Sequence, residues 1–419
     1  QCANGQPAAD TAFSDDAPTQ NAPPQNAPTG GTPIQGTPTR GVGIHRTLTR
    51  RDLAAQALAA GVLTLPAAGA RAAAGVTIAG PGGWFQDLFD GVVLAAFRKA
   101  HPGIGVFFYA AGSGFQTLSL MQEQRMLPYI DVALLEVGVA AQAAKEGLLD
   151  AITPDAMPVL KDLIPQAVPP QGSPPQATST PQGAATSQAP PPQGAGPVLM
   201  VDTLALGYDP RRFTQPPRLW RNLWDPAIGN RLTLPTAPDP IALAMTSIAA
   251  TLFGGRNPAE SLEAALTALS ALRPRVAVWD PVPNTYTAIA AGDAAIGPGW
   301  NARAQYQVRQ TPGRYATVIP DDGSPALPVT INLIKGSTAP DAARTLIAWL
   351  LGPEAQALLT RTLFYAPVNP RADVPPAVLA KAGADPQTVS RRINIDWVTA
   401  TAVRDKVTAA WRRHGLMRY

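Results

Sequence analysis

The sequence predicts an α/β fold with two lobes, for three reasons. Short apolar strands alternate with helices along most of the chain, which is typical of a parallel sheet covered by helices. The alternation stops at a proline-rich stretch and then resumes as a second series. The chain has 419 residues, which exceeds the size at which single cores tend to divide into domains.

The first α/β series is identified by its turns. Strands are predicted at 76–79, 106–109 and 130–135, each followed by a helix. Residues 81–83 (Pro-Gly-Gly) and 111–114 (Ala-Gly-Ser-Gly) make the first two strand-to-helix turns. The third helix is predicted to end at Gly147, because glycine readily adopts the backbone conformation that follows a helix C-terminus.

A second α/β series is predicted after residue 197. Its strands are predicted at 198–201, 204–208, 231–234, 276–279 and 294–297, and its helices at 241–253, 259–272 and 285–291. Further strands are predicted at 315–320 and 329–334, and further helices at 340–351 and 353–362. The last two helices begin with proline, which suits a first helical position. An amphipathic helix is predicted at 398–414.

Residues 1–74 are predicted to be a disordered, Pro/Gln-rich segment followed by an export leader. Arg50-Arg51 precede an apolar run at 53–65 that is too short to span a bilayer. Small residues at 70–74 fit a signal-peptidase cleavage pattern. Paired arginines before such a run are a bacterial export address, so the mature chain is predicted to begin near Gly75 and to work in the periplasm. The alternative is an ordinary amphipathic helix with a chance arginine pair.

A second low-complexity segment at 165–196 interrupts the globular sequence. It repeats Pro-Pro-Gln among Ser, Thr and Ala, a composition with too little apolar surface to offset the entropy of ordering. We expect a disordered surface insertion, and a proline-rich recognition arm is the alternative.

Composition and motifs argue against several classes of function. Charged residues make up 15% of the chain, the net charge is +4, and no block of Lys or Arg would follow a phosphate backbone, so no nucleic-acid partner is expected. Cys2 is the only cysteine, and the three histidines form no zinc-binding spacing. The sequence has no Gly-x-Ser-x-Gly elbow, no G-x-G-x-x-G fingerprint and no Walker motif. We therefore predict no metal, no cofactor and no enzymatic activity.

The remaining candidates lie at strand-to-helix turns. In open α/β sheets ligands bind beyond the carboxyl ends of strands, where helix N-termini offer free N–H groups. Gly83-Trp84, Ser113-Gly114 and Gly299-Trp300-Asn301 occupy such turns. A tryptophan there could hold a cation against its ring face, although core packing is the alternative for both Trp84 and Trp300.

Residues 76–150 and 198–415 resemble the substrate-binding proteins of bacterial ABC importers, specifically the spermidine/putrescine and ferric-iron branch. The resemblance is carried, in order, by residues 130–132 (Ile-Asp-Val) through 146–149 (Glu-Gly-Leu-Leu), 206–209 (Leu-Gly-Tyr-Asp), 295–301 (Ala-Ile-Gly-Pro-Gly-Trp-Asn), 319–323 (Ile-Pro-Asp-Asp-Gly), 342–351 and 365–369 (Tyr-Ala-Pro-Val-Asn).

The resemblance implies a type II periplasmic-binding-protein fold with a ligand cleft between its lobes. Lobe 1 is expected at 75–199, lobe 2 at 200–302, a return to lobe 1 at 303–352 and C-terminal helices at 353–419. The implied partners are a small-molecule solute and the transmembrane permease subunits of an ABC importer, and the chain is expected to be a monomer.

The resemblance also suggests ligand-binding residues. Asp239 and Glu136 would pair with cationic groups, and Trp84, Trp300 and Tyr365 would line an alkyl stem. The full candidate set is Gly83, Trp84, Ser113, Glu136, Asp239, Tyr286, Trp300, Asn301 and Tyr365. The aromatic-plus-acid pair of polyamine binders is missing near 328–330, and no adjacent tyrosines occur for iron.

The sequence leaves other functions open. The favoured ligand is a small organic cation such as a polyamine, and iron or an anionic solute held by helix N-termini is the alternative within this fold. From other classes, an exported α/β hydrolase with an unrecognised site and a sensor for a partner protein are also considered.

Overall fold

The computed structural model describes residues 74–170, 189–254, 258–281 and 284–417. Its strands are β1 (Ala74–Gly80), β2 (Ile104–Ala110), β3 (Val132–Glu136), β4 (Leu149–Asp150), β5 (Val198–Tyr208), β6 (Leu232–Pro235), β7 (Val276–Asp280), β8 (Ile296–Trp300), β9 (Ala316–Val318), β10 (Ala326–Ile334) and β11 (Ala366–Pro367).

The helices alternate with these strands. They are α1 (Trp84–Leu88), which continues through a π-helical segment (Phe89–Leu94) into α2 (Ala95–Ala100), α3 (Gly114–Glu123), α4 (Val137–Lys145), α5 (Pro240–Phe253), α6 (Pro258–Ser270), α7 (Thr285–Ala291), α8 (Asn301–Gln310), α9 (Pro340–Leu351), α10 (Pro353–Leu363), α11 (Pro376–Lys381), α12 (Pro386–Ser390), α13 (Trp397–Ala402) and α14 (Arg404–Arg413). None of these described helices combines the length and the apolar character that crossing a membrane requires.

The described strands form one mixed sheet with the order β2-β1-β3-β10-β5-β8-β6-β7. β1, β2 and β3 are parallel, as are β6, β7 and β8. β10 is antiparallel to β3, and β5 is antiparallel to both β10 and β8. The predicted α/β class is confirmed, and the sheet is mixed rather than parallel throughout because β5 and β10 run antiparallel to their neighbours.

The first half of the sheet packs against its own core. Val76 and Ile78 of β1 are fully buried there, together with Phe85, Phe89 and Phe97 from the helical run 84–100. Complete burial of one such side chain contributes about 1.5–3 kcal/mol. This core fixes the turn at Gly83 and Trp84, because the buried Phe85 follows directly.

The second half has a separate core. It contains Trp220, Trp411 and the apolar helix α5, whose Ile248 is fully buried. The indole N–H of Trp411 donates to Thr246 Oγ1 at 2.9 Å, which ties the C-terminal helix to α5. The start of α5, and therefore the Asp239 position, is held by this packing.

One strand joins the two halves. β5 pairs with β10 over its first residues and with β8 and β9 from Leu204 onward. The prediction of two separate strands at 198–201 and 204–208 is therefore wrong, since Asp202 and Thr203 continue the extended backbone. Asp202 is buried in this continuous strand.

The C-terminal tail is broken as well. The single helix predicted at 398–414 is two helices, α13 and α14, which meet at Val403. Trp397 at the start of α13 is buried in the second core, and its indole N–H donates to the Ala326 carbonyl at 2.7 Å. A Cβ on Gly138 of α4 would overlap Thr401, so α13 also packs closely on the first half.

Two predicted low-complexity segments are only partly described. The predicted leader and the segment before it lie outside the described part of the chain, which begins at Ala74 with β1. The ends of the predicted insertion at 165–196 are ordered, because Ala167 and Ala195 are buried against the fold. The prediction was too long at both ends, and residues 171–188 lie outside the described part of the chain.

Candidate functional site

Gly83 and Trp84 form the first strand-to-helix turn. Gly83 has φ of +64°, a conformation that side chains rarely adopt, and it directly precedes α1. The half-buried Trp84 ring lies 5.5 Å from the ring of Tyr306 on α8. Trp84 therefore faces α8, the helix that follows β8, and lies at the boundary between the two halves.

Ser113 caps the helix α3. Its hydroxyl accepts from the Gln116 N–H at 3.3 Å, and its own N–H donates to Gln116 Oε1 at 2.8 Å, which is a capping box. The next residue, Gly114, is needed for a different reason. A side chain at Gly114 would overlap Glu136 Oε2, so glycine makes room for that carboxylate.

Glu136 ends β3 and precedes α4. Its Oε2 atom is buried and has no hydrogen-bond partner within the described ranges. Burial raises the pKa of this carboxyl group above its ordinary value. A buried acceptor without a donor costs about 1–3 kcal/mol, so this position favours a ligand that brings an N–H group.

Asp239 begins the helix α5, and its Oδ1 accepts from the Ile241 N–H at 2.7 Å. Much of the residue surface is exposed, but protein surrounds the carboxyl group on most sides. The loss of solvent around the carboxyl raises its pKa to about 6, and the nearby charges of Asp280 and Glu136 raise it further while Arg303 opposes them. Asp239 and Glu136 therefore belong to one electrostatic cluster.

A pocket joins these positions. It is a small cavity of about 60 Å³ between the two halves. Its walls include Ser113, Gly114, Glu136, the neighbours of Asp239 (Pro238 and Pro240), and Trp397, Thr401 and Arg404 from the C-terminal helices. The structure thus brings the second and third strand-to-helix turns together with the loop before α5.

Tyr286, Trp300 and Asn301 are engaged with the protein itself. The buried Tyr286 hydroxyl accepts from the Trp300 N–H at 2.7 Å and donates to the Trp300 carbonyl at 3.3 Å. The Trp300 ring is half-buried, 6.2 Å from the Trp397 ring. Asn301 is buried and donates to the Lys381 carbonyl at 2.6 Å. These bonds order the start of α8, and direct ligand contact by the three side chains stays a prediction.

Tyr365 lies in the first core. Its ring makes an edge contact with Phe85 at 6.0 Å, and burial raises the pKa of its hydroxyl well above the ordinary value. The same hydroxyl is influenced by the charges of Asp202, Glu136 and Arg303. Tyr365 is therefore next to the acidic cluster, but most of its surface is already packed against protein.

Sequence reasoning missed Asp202. It lies on β5, where its Oδ1 accepts from the N–H groups of Thr203 at 2.8 Å and Ala302 at 3.1 Å. Burial raises the pKa of this carboxyl to about 7, although these hydrogen bonds lower it. Asp202 positions the first turn of α8 from the strand that joins the halves. An isolated acid in an otherwise apolar strand was the available signal.

Sequence reasoning also missed Arg303. Its guanidinium carbon lies 4.6 Å from the centre of the Tyr286 ring. The charge of Arg303 lowers the pKa of Asp239 and of Asp280, in both cases against the larger effect of burial. An arginine in the first turn of a helix opposes the helix dipole, and that unusual position was the signal in the sequence.

The ranges that the structure covers contain no group of three or more His, Cys, Asp or Glu side chains arranged to hold a metal ion. The clustered groups are instead three acids, Glu136, Asp239 and Asp280, with Arg303 near them and Arg404 on the pocket wall. Such an arrangement can hold ammonium groups by charge-assisted hydrogen bonds.

Comparisons with known proteins bear on the fold. The family model described as bacterial extracellular solute-binding protein matches residues 93–386. A comparison with curated protein sequences gave no match.

Solved structures match over most of the chain. The spermidine/putrescine ABC transporter substrate-binding protein of Streptococcus pneumoniae has a TM-score of 0.64 at 16% identity, covering 82% of this chain and 99% of that one. A protein described as a GABA receptor has a TM-score of 0.63 at 21% identity, with coverage of 82% and 98%. A periplasmic binding protein of Actinobacillus pleuropneumoniae, solved with fructose-6-phosphate, has a TM-score of 0.60 at 16% identity, with coverage of 82% and 99%. These matches confirm the periplasmic-binding-protein fold.

Proposed function

We propose that this chain, which belongs to the family of bacterial extracellular solute-binding proteins, captures a small organic cation and delivers it to the permease of an ABC importer. In this proposal the protein is exported, works as a monomer in the periplasm and catalyses no reaction. The solute enters between the two halves, which close around it by bending at β5 and β10.

The observation that carries the proposal is the acceptor on Glu136. Its Oε2 is buried without a donor among the described residues, on the wall of the pocket beside the Asp239 loop. The Asp239 carboxyl feels the charges of both Glu136 and Asp280. An ammonium group placed between these acids would supply the missing donor and relieve their mutual repulsion.

Proteins that share this fold do not determine the ligand, because they include a spermidine/putrescine-binding protein, a GABA receptor and a protein with bound fructose-6-phosphate. The side chains at the pocket must do so. A phosphate-bearing solute would place negative charge beside Glu136 and Asp239, which is unfavourable. The acids therefore favour an amine such as a polyamine over an anionic solute.

Calorimetric titration with putrescine and spermidine tests the proposal. A charge-assisted hydrogen bond contributes about 1.5–3 kcal/mol, so Glu136→Gln and Asp239→Asn should each weaken amine binding about tenfold or more. Asp341→Asn is the matched control, because Asp341 is a fully exposed acid on α9 that pairs only with Arg344 among the described residues.

The control should bind as the wild type does. Two results would contradict the proposal: no binding of any amine together with binding of a phosphorylated or dicarboxylic solute, or amine binding that both cleft variants retain at full strength.

A further inference from the structure

Arg303 forms no ion pair with the described residues, unlike several other arginines of the second half. Arg211 and Arg212 pair with Asp209, and Arg218 pairs with Asp321. Arg303 has no carboxylate within 4.0 Å in the described part of the chain, and no hydrogen bond from its guanidinium is found there. An arginine that is half-buried and unpaired keeps its hydrogen-bonding capacity for something else.

The guanidinium of Arg303 is nevertheless held in place. One face of it rests on the Tyr286 ring, with 4.6 Å between the guanidinium carbon and the ring centre. That ring is fixed by two hydrogen bonds between its hydroxyl and the backbone of Trp300. Stacking covers one face of the guanidinium but leaves its N–H edges available, which is the geometry that binds a carboxylate through two parallel hydrogen bonds.

The neighbouring acids do not use these N–H groups. Asp239 Oδ1 accepts from the Ile241 N–H, and Asp280 Oδ2 accepts from the Thr285 N–H at 3.1 Å. Both are close enough for the charge of Arg303 to act on them, yet neither forms an ion pair with it. Arg303 is therefore a fixed cation near a group of acids, and these acids leave its N–H groups free.

Arg303 also lies where the two halves meet. Its ring partner Tyr286 belongs to the second half, whereas its charge lowers the pKa of Tyr365, which packs in the first core. Tyr306, one turn along the same helix, contacts Trp84. Arg303 is therefore on the side of the boundary between the halves where Trp84 and Tyr306 meet, and a solute that extends from Glu136 along this boundary would approach it.

On the basis of the proposed function, we propose that the solute is an amino-carboxylate: its ammonium group binds at Glu136 and Asp239, and its carboxylate binds the N–H edge of Arg303. A diamine would satisfy the acids but would place its second ammonium near the arginine. Arg303 is then the residue that distinguishes amino acids with a terminal amine from polyamines.

Matched pairs of solutes test this inference. Each pair has the same number of methylenes, and one terminal ammonium is replaced by a carboxylate, as in putrescine and 5-aminopentanoate. Pairs with two to five methylenes cover the unknown spacing between the two ends. At least one amino-carboxylate should bind the wild type tenfold or more tightly than its matched diamine in calorimetric titration.

The variant Arg303→Gln should weaken binding of that amino-carboxylate at least tenfold and leave diamine affinity unchanged or increased. Arg309→Gln is the matched control, because Arg309 lies on the same helix and also stacks on an aromatic ring, 4.3 Å from Phe364, but donates to backbone carbonyls of 361 and 362. Its affinities should equal those of the wild type. If Arg303→Gln fails to fold, Arg303→Lys keeps the charge but loses the paired N–H groups, and should show the same selective loss.

Two failures can be told apart. Diamines that bind more tightly than every amino-carboxylate, with Arg303→Gln strengthening both, would overturn the role of Arg303 and leave the proposed amine site standing. Binding restricted to dicarboxylates such as glutarate, lost in Arg303→Gln, would overturn the amine site itself.

Discussion

Carboxyl groups in this protein behave according to what faces them. Asp321 is paired with Arg218, and that hydrogen bond lowers the pKa of the aspartate. Asp202 forms no ion pair with any residue that the structure describes, and burial raises its pKa to about 7. Glu136 and Asp239 are in the second group, so the cleft holds acids that are costly to ionise without a positive partner.

The residues of the candidate site were predictable only in part, because the groups that face a side chain come from distant parts of the chain. Ser113, Glu136 and Asp239 could be located because each follows a strand or a turn in the sequence, and the structure places all three around one region. Asp202 and Arg303 were missed, because the local signal at each position does not show which distant segments surround it. Tyr286 and Tyr365 were predicted to face a ligand, but sequence alone cannot decide which face of a helix or turn the core covers.

Cation binding should weaken in acid through Asp239. Below its pKa of about 6 the carboxyl group is neutral and no longer attracts an ammonium group. The charged groups that face it are Glu136 and Asp280, which are negative, and Arg303, which is positive. Lowering the pH from 7.5 to 5 should therefore reduce the affinity about tenfold through this group alone. Titration calorimetry at both pH values measures it. Asp239→Asn should lose most of that pH dependence, and identical affinities of the wild type at the two pH values would contradict the assignment.

Asp202 should make the fold less stable as the pH rises. Its folded pKa of about 7 is above the ordinary value, so between about pH 4 and 7 the folded state keeps a proton that the unfolded chain releases. Stability should fall by up to about 1.4 kcal/mol per pH unit in this range from this group. Asp202→Asn keeps an oxygen for the Thr203 and Ala302 N–H groups but cannot ionise. Urea unfolding at pH 5, 6 and 7 should give a shallower decline for the variant, and parallel declines would refute this account.

Among the elements, the strands and helices with clear periodicity were predicted well and the joining elements were not. The helices α9 and α10 were predicted correctly because each begins with a proline and Gly352 lies between them. β5 was predicted as two strands, and its continuity depends on pairing with β10 at one end and with β8 and β9 at the other. The break at Val403 was missed because it depends on how α13 fits between Gly138 and the second core.

The contact between α4 and α13 should be sensitive to a single methyl group. A Cβ at Gly138 would overlap Thr401 Oγ1 and meet the carbonyl oxygen of Trp397 at 2.5 Å, so the two helices must separate. Overpacking of this kind costs about 1–3 kcal/mol, and Gly138→Ala should lower the stability by that amount. The control is Gly91→Ala, because a Cβ there meets no atom within 4 Å. It should be neutral or slightly stabilising. Equal effects of the two substitutions on urea unfolding would show that the packing is loose.

At the scale of the whole molecule, the two cores described above lie on one continuous sheet. β5 and β10 are adjacent in that sheet where the halves join, and α8 and α13 contact both halves. The two-lobed α/β class was predictable because the alternation of strands and helices repeats on either side of the proline-rich segment. The family resemblance is confirmed by the match over residues 93–386. The sheet order was not predictable from periodicity, because strand neighbours are set by packing between distant segments.

A crystal structure of the protein with a bound amine tests the central claim most directly. After soaking or co-crystallisation with putrescine or 5-aminopentanoate, the account predicts an ammonium nitrogen at about 2.7–3.2 Å from Glu136 Oε2 and within hydrogen-bond reach of the Asp239 carboxyl. For the amino-carboxylate it further predicts both carboxylate oxygens on the Arg303 guanidinium. A solute bound elsewhere, or one that presents only negative groups to a cleft in which Glu136 keeps no partner, would contradict the account.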